Sequence, residues 1–371
     1  MYFLTSVIFF VFANLWTSLA NSTKELKEQR LSESGHVRRR IETATSEVQV
    51  PFFYGLGQGT TATRSFFHSM CHLNICAVHY SQMCFNVDEA AELTKEQAIA
   101  IEGQSEVVHN SYEFSVCAGR RGGSCPFDEG LALFRQVEEA VKKVILSGGV
   151  HYVADTPYPH LITFILKTLK EANPDSEPVF LMTERNPHDW AIKRMKEHGG
   201  DVICRYYMEL EKTELAEFER ENPNHNPLDW SHCMIYSKEM KNSQQPSSTQ
   251  EVFVALDQLI KEAKGDERGL LEVVDRVTSA YAIYQKRVSK MEHMLFSINL
   301  FEQERFLSED EISQQIYERM FKSDALPPSV KESLKRAGVR VMDPYKNRKH
   351  GVFHKRHIWD QFSMEAMHHE W

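Results

Sequence analysis

At 371 residues with 42% hydrophobic composition, the chain carries enough apolar material for one substantial core with extensions. Its formal net charge of −9 argues against general nucleic-acid binding, which needs a basic surface to displace counterions from phosphate. The seven cysteines are an odd set, so at least one stays outside any intramolecular pair, and none has the C-x-x-C or His/Cys spacing of a metal centre; no metal is expected.

In chain order, Tyr2 to Trp16 are almost all apolar, and Ser18-Leu19-Ala20 offers a small-x-small cleavage pattern before Asn21. Residues 1–20 therefore read as a signal peptide or an uncleaved signal-anchor, and either one puts the rest of the chain in a lumenal compartment. Asn21-Ser22-Thr23 has the pattern of a glycosylation sequon. The charged and polar stretch that follows, with Arg38-Arg39-Arg40, makes 21–47 a stem or linker. In an oxidising lumen, Cys117 and Cys125 are the best-placed pair for a disulfide, because they flank a polar, glycine-rich loop; the alternative is that several cysteines are buried thiols.

The stretch from Val48 to Phe67 begins as a Val- and Phe-rich strand. It turns through Gly55-Leu56-Gly57-Gln58-Gly59 and opens a helix at Thr60-Thr61-Ala62-Thr63. A strand, a glycine turn and a helix N-terminus together make an anion site: unpaired N–H groups converge there, the helix dipole adds partial positive charge, and glycine admits close approach. A nucleoside-triphosphate loop would need Lys after the last glycine, and none stands there. A dinucleotide loop would need a third glycine where Thr60 stands, and an acid after the next strand, Ile75 to Tyr80, which ends in His79-Tyr80.

Beyond this loop, helices are expected over 88–102 and 127–146, and a strand over Val150 to Asp155. Thr156-Pro157-Tyr158-Pro159 launches the next helix, Pro178 to Thr183 is a strand, and Arg185-Asn186-Pro187-His188-Asp189-Trp190 leads into another helix. Two helices are expected within 251–290, and a last strand over 294–301. Strands alternating with helices imply an α/β fold with three layers, a mainly parallel sheet flanked by helices. On such a sheet a ligand sits beyond the strand C-termini, where the glycine loop, Asp155 and Arg185 all lie. His151, alternating onto the core face, is expected to be structural. The tail 331–356 is basic, with Arg348-Lys349 in its densest part.

Gly59-Thr60-Thr61 after a strand, Asp155-Thr156-Pro157-Tyr158-Pro159 after another, and Arg185-Asn186-Pro187 after a third resemble, in this order, the motifs of sulfotransferases that use 3′-phosphoadenosine 5′-phosphosulfate (PAPS). The resemblance runs from about Phe52 to Phe301 and is that of a divergent member. It implies a P-loop sulfotransferase-like domain over 48–320 with a basic extension over 321–371. It also implies a 5′-phosphosulfate on Gly57, Gln58, Gly59, Thr60, Thr61 and Thr63, and a 3′-phosphate on Arg185, with Lys193 where the family has serine. Arg348-Lys349 is similar to the family's R-K-G element on that phosphate; the alternatives are a solvated basic surface or a patch for an anionic acceptor such as a sulfated or carboxylated glycan. Gly57 stands where most members carry lysine, and Arg64, on the first helical turn, would reach back to substitute for it. His79 and Asp155 are the candidate bases, the alternative for His79 being a structural or substrate-orienting role and for Asp155 an N-cap.

The activity implied is sulfuryl transfer from PAPS to a hydroxyl or amine of a carbohydrate or small metabolite. The setting implied is the Golgi lumen, as a type II membrane protein, or the exterior after signal cleavage. A nucleotide- or glycan-binding protein without catalysis on the same fold is the alternative from another class. An ATP-dependent kinase is the third, disfavoured by the missing lysine.

Overall fold

The computed structural model describes residues 52–85, 92–117, 127–175, 178–198, 202–204, 216–217, 220–221, 253–255, 267–291, 294–299, 307–323, 325–341, 343–344 and 356–358. The expected signal segment, stem, sequon, Cys125, Arg348 and Lys349 lie outside them. Among the described residues no helix is long and apolar enough to cross a membrane.

Strand β1 (Phe53–Gly55) leads through the glycine loop into helix α1 (Thr63–His72). Strands β2 (Ala77–His79) and β3 (Gln82–Phe85) form a hairpin, and helices α2 (Lys95–Cys117) and α3 (Phe127–Leu146) pack against each other. Strand β4 (Tyr152–Ala154), a short 3-10 turn at Tyr158–His160, helix α4 (Ile162–Ala172), strand β5 (Val179–Glu184) and helix α5 (Pro187–His198) follow. Strands β6 (Val202–Cys204) and β7 (Phe253–Ala255) pair as a separate antiparallel ribbon. Helix α6 (Glu267–Val288), strand β8 (Met294–Asn299), helices α7 (Glu309–Ile316) and α8 (Pro328–Arg336), and strand β9 (Arg356–Ile358) complete the described elements.

The main sheet runs in the order β8-β5-β1-β4-β2-β3-β9. The first five strands are parallel, and at one edge β3 pairs antiparallel with β2 and β9 antiparallel with β3, so the sheet is mixed. β1 is central: chain order places β4 and β2 on one side of it and β5 and β8 on the other. The sheet therefore has its switch point where the glycine loop leaves, the place at which connections diverge to opposite faces and open a crevice.

Alternation along the buried strands decides the two faces. Tyr54, Val78, Val153, Phe180 and Met182 pack under α2 to α6. Phe53, Ala77, Tyr152, Val179 and Leu181 pack under α1, α7 and α8. Each helix supplies an apolar stripe at helical spacing, such as Phe134, Val137, Val141 and Val144 on α3. Helix α7 starts on a capping box in which the hydroxyl of Ser308 accepts from the N–H of Glu311, whose carboxylate accepts from the N–H of Ser308.

Several local expectations are corrected. The helix expected over 88–102 begins at Lys95 and runs to Cys117. Within 251–290, where two helices were expected, the described residues form a short strand at Phe253–Ala255 and a long helix over Glu267–Val288, and 256–266 lie outside them. The segment after Pro157 makes a 3-10 turn before helix α4 begins. β3 (Gln82–Phe85) has no β-branched residue and β9 (Arg356–Ile358) a single apolar one, so neither stands out as a strand in the sequence, and their antiparallel pairing makes the sheet mixed.

A disulfide joins Cys71 at the end of α1 to Cys84 on β3, across 13 residues, and Cys117 is also disulfide-bonded. Closing a loop of that size restricts the unfolded chain by about 3 kcal/mol.

His151 is structural, as expected. Its ring stacks on Phe52 at 5.4 Å, and both of its nitrogens are buried without a hydrogen-bond partner among the described residues. Burial lowers its pKa to about 4. Above about pH 6.5 the imidazole is neutral in folded and unfolded chains alike; as pH falls from there to about 4, only the unfolded chain takes up the proton. Stability contributed by the neutral ring is therefore lost across that window, by roughly 3 kcal/mol. His151→Phe is expected to remove this loss, so that the variant gains on wild type in urea midpoint between pH 7 and pH 4. An offset independent of pH would show that His151 does not titrate this way.

Candidate functional site

The site is built on the loop between β1 and α1. Leu56 N–H donates to Leu181 O at 2.7 Å, and Leu56 O accepts from the Tyr284 hydroxyl at 2.5 Å. Gln58 O accepts from both the N–H and the hydroxyl of Thr61, at 3.2 and 2.5 Å. Gly59 O accepts from Trp190 Nε1 at 2.8 Å, and Thr60 O from Arg185 Nη1 at 3.2 Å. The carbonyls of Leu56, Gln58, Gly59 and Thr60 are thus each met by a donor of the protein. Among the described residues no acceptor meets the N–H groups of Gly57, Gln58, Gly59 or Thr60. Helix α1 begins with no side-chain cap, so its first N–H groups add to the same set. Two side-chain donors on this loop, Gln58 Nε2 and Thr60 Oγ1, are buried and also without a partner among the described residues. An array of oriented donors with the carbonyls facing away is a cradle for an anion.

Both glycines are required by what they touch. A Cβ on Gly57 would lie 1.9 Å from Thr183 Oγ1, and one on Gly59 would lie 2.2 Å from Arg194 Nη1. Arg194 is buried, at 6% exposure, and its guanidinium lies against the Gly59 α-carbon. Trp190 stands one helical turn earlier on the same face of α5, stacked on Tyr281 with ring centroids 4.1 Å apart.

The second part of the site lies at the end of β2. The parallel register sets His79 beside Ala154, so Asp155 follows directly above it. His79 Nε2 is 2.9 Å from Thr63 Oγ1 and 3.4 Å from Asp155 Oδ2. Burial lowers the His79 pKa; Asp155 opposes that shift, and the positive charge of Arg64 adds to it. The imidazole is therefore held neutral, with a carboxyl group placed to stabilise a proton once Nε2 has taken it. Gln104 supports this end of the strand: its amide donates to Tyr80 O and its carbonyl accepts from the Tyr158 hydroxyl at 2.5 Å.

Non-glycine residues with left-handed backbone gather here. Thr60, Ala62, Tyr80 and Asp155 have φ of 70°, 65°, 46° and 68°. A β-branched Thr in that region is uncommon, and such strain concentrates where a chain holds functional groups in place. Helix α1 accordingly starts at Thr63, three residues after the expected opening.

Of the residues expected from sequence, Gly57, Gln58, Gly59, Thr60, Thr61, Thr63 and Arg185 gather at the loop, and His79 and Asp155 join them through Thr63. The Thr61 hydroxyl is occupied by Gln58 O and by Thr183 Oγ1 at 2.8 Å, which makes it a brace of the loop. Arg64 is exposed on α1 and acts on His79 through its charge. Lys193 is half-buried on α5, but the cationic side chain against the loop is its neighbour Arg194.

Sequence reasoning missed Arg194, Trp190, Thr183 and Tyr284. The signal for the first two was present: Trp190 and Arg194 are four residues apart on a predicted helix that follows the Arg185 motif. Among the described residues no group of His, Cys, Asp and Glu side chains is placed to hold a metal ion. Neither a protein-family model nor a curated protein sequence matches the chain.

Proposed function

We propose that the chain is a PAPS-dependent sulfotransferase of the secretory pathway, acting on a hydroxyl or amine of a carbohydrate or small metabolite, on a P-loop sulfotransferase-like fold. The observation that carries this reading is the glycine loop at the switch point of the sheet. Its N–H groups meet no acceptor among the described residues, and Arg185 donates to the Thr60 carbonyl. The donors fit a ligand with an anionic group at the loop and another near Arg185, because backbone N–H groups serve a sulfate or phosphate oxygen and a guanidinium serves a phosphate bidentately. The pairing of Cys71 with Cys84 supports an oxidising compartment.

In this reading Gly57, Gln58, Gly59 and Thr60 bind the phosphosulfate, and the N-terminus of α1 stabilises charge that builds on the departing phosphate. His79 Nε2 receives the acceptor's proton, and Asp155 steadies the resulting imidazolium. Thr63 orients the imidazole by its hydroxyl. The reaction asks for alignment, charge stabilisation and one proton acceptor, and each has a residue here.

A second reading, nucleotide binding without transfer, is favoured by one observation. Gly57, which stands at the family's lysine position, has no room for any side chain.

Calorimetry of the full chain with PAP, the desulfated product, alongside ATP and NAD, tests the nucleotide site. PAP is expected to bind in preference to both, and Arg185→Ala to weaken it by roughly tenfold or more. His79→Gln is expected to leave PAP binding intact and to abolish transfer of labelled sulfate. In the wild type, transfer should decline on the acid side as His79 becomes protonated, with its midpoint below pH ~6.5. A folded wild-type chain that does not bind PAP overturns both readings; binding with no transfer to any acceptor selects the second.

A further inference from the structure

We infer that Gln104 is a positioning residue for the His79–Asp155 pair: its side-chain amide ties the end of β2 to the turn that follows β4, and so sets how closely the carboxyl group approaches the imidazole. The tie itself consists of hydrogen bonds; only its bearing on catalysis rests on the reading of His79 as the proton acceptor. Gln104 Nε2 donates to Tyr80 O, the carbonyl of the residue directly after His79, and Gln104 Oε1 accepts from the Tyr158 hydroxyl at 2.5 Å. The Tyr158 N–H in turn donates to Asp155 O at 2.9 Å. A closed circuit results, in which His79 and Asp155 meet at 3.4 Å and Gln104 joins the two segments that carry them.

Gln104 stands on the buried stripe of α2, between Ala100 and Val107, and is itself fully buried. An amide in such a place costs free energy unless both its donor and its acceptor are met, and here each is met by a different strand end. An aliphatic residue would fill the same space but leave the Tyr80 carbonyl and the buried Tyr158 hydroxyl without this partner. The same helix is registered on the β4 segment at its first turn as well. A Cβ on Gly149, just ahead of that strand, would meet Glu96 O, so α2 abuts the chain on both sides of β4.

The two strand ends need such a tie. Tyr80 and Asp155 both have left-handed backbone, with φ of 46° and 68°, a conformation that non-glycine residues keep only where their surroundings hold them. Gln104 bonds the first directly and the second through Tyr158. At 3.4 Å the contact between His79 and Asp155 is long for a hydrogen bond, so a small displacement of either strand end changes it. The charged groups that bear on the imidazole are Asp155 from β4 and Arg64 from α1, and Thr63 of α1 meets it by its hydroxyl. Among the described residues Gln104 makes no hydrogen bond to α1, so loss of its amide acts on the Asp155 contact and leaves the influence of Arg64 as it is.

The test follows the His79 imidazole by NMR in the full chain, its resonance assigned by its loss in His79→Gln, with thermal unfolding as a check on folding. Asp155→Asn removes the carboxylate charge and is expected to lower the titration midpoint by about one pH unit. Gln104→Met, which keeps the volume but removes the amide, should lower it by at least about 0.3 pH unit, and Tyr158→Phe should lower it by less. In the Asp155→Asn chain, Gln104→Met should move the midpoint by less than about 0.1 pH unit, because the charge it positions is gone. An unchanged or raised midpoint in Gln104→Met, or an equal shift with and without the Asp155 carboxylate, would make Gln104 a hydrogen-bonding residue of the core only and overturn the inference. If Gln104→Met does not fold, Tyr158→Phe decides by the same comparison. PAP affinity should stay within about twofold of wild type in Gln104→Met, while transfer of labelled sulfate falls through kcat and not through KM for PAPS. A folded wild type that binds no PAP overturns the sulfotransferase reading alone, and the titration still decides the positioning role.

Discussion

Trp190→Ala is expected to destabilise the protein by about 3–5 kcal/mol, the largest loss of any single substitution at this site. Trp190 is 1% exposed, so alanine would leave a large cavity between α5 and α6, and its stack on Tyr281 at 4.1 Å would be lost. Its indole N–H also holds Gly59 O at 2.8 Å, so the same change releases the turn that carries the N–H groups proposed to bind an anion. Trp190→Phe separates the two contributions. It keeps most of the buried ring but removes the donor, and should cost on the order of 1–2 kcal/mol, with PAP affinity falling alongside because the Gly59 carbonyl is no longer held. Urea unfolding of wild type and both variants measures the first quantity and calorimetry the second. A loss below about 1 kcal/mol for the alanine variant would contradict the packing of α5 on the loop.

Gly57→Lys supplies the residue that the proposed resemblance to sulfotransferases would put here, and it is nonetheless expected to abolish the proposed PAP binding. A Cβ at Gly57 would sit 1.9 Å from Thr183 Oγ1 and 2.9 Å from Thr61 Oγ1, two hydroxyls that are themselves bonded at 2.8 Å. Something must move, and these are the groups that brace the loop against β5. The overpacking should cost on the order of 1–3 kcal/mol. Because the nearest obstacle is one oxygen, Thr183→Ala in the Gly57→Ala background should recover part of the lost stability, a positive coupling that a double-mutant cycle on the unfolding midpoint would detect. A Gly57→Lys variant that is as stable as wild type and transfers sulfate faster would show that the loop has room for lysine after all, and that the cation is missing only by substitution.

The two predictions share a cause. The loop is shaped from β5 and α5, far along the chain, and not from its own residues alone. Thr183, Arg185, Trp190 and Arg194 reach it from more than a hundred positions away. The His79 pair shows the same dependence: His79 and Asp155 are 76 residues apart and meet only because β2 and β4 are neighbours in register.

Part of this fold follows from local physics alone. The apolar runs at 53–55, 77–79, 152–154 and 179–184, the helical stripes between them, and the glycine turn ahead of α1 were legible because strand burial, helical periodicity and backbone freedom act over a few residues. They were enough for an α/β sheet with the loop, His79, Asp155 and Arg185 at one edge. Strands β3 and β9 carry no such signal: Gln82–Phe85 has no β-branched residue, and Arg356–Ile358 has a single apolar one. Only the tertiary structure decided that the sheet is mixed, that Cys71 pairs with Cys84, and that Arg194 rather than Lys193 lies against Gly59. Each of these depends on which distant surfaces meet. A one-residue step on a helix turns a side chain by about 100°, and that angle acquires meaning only when the neighbouring element is in place.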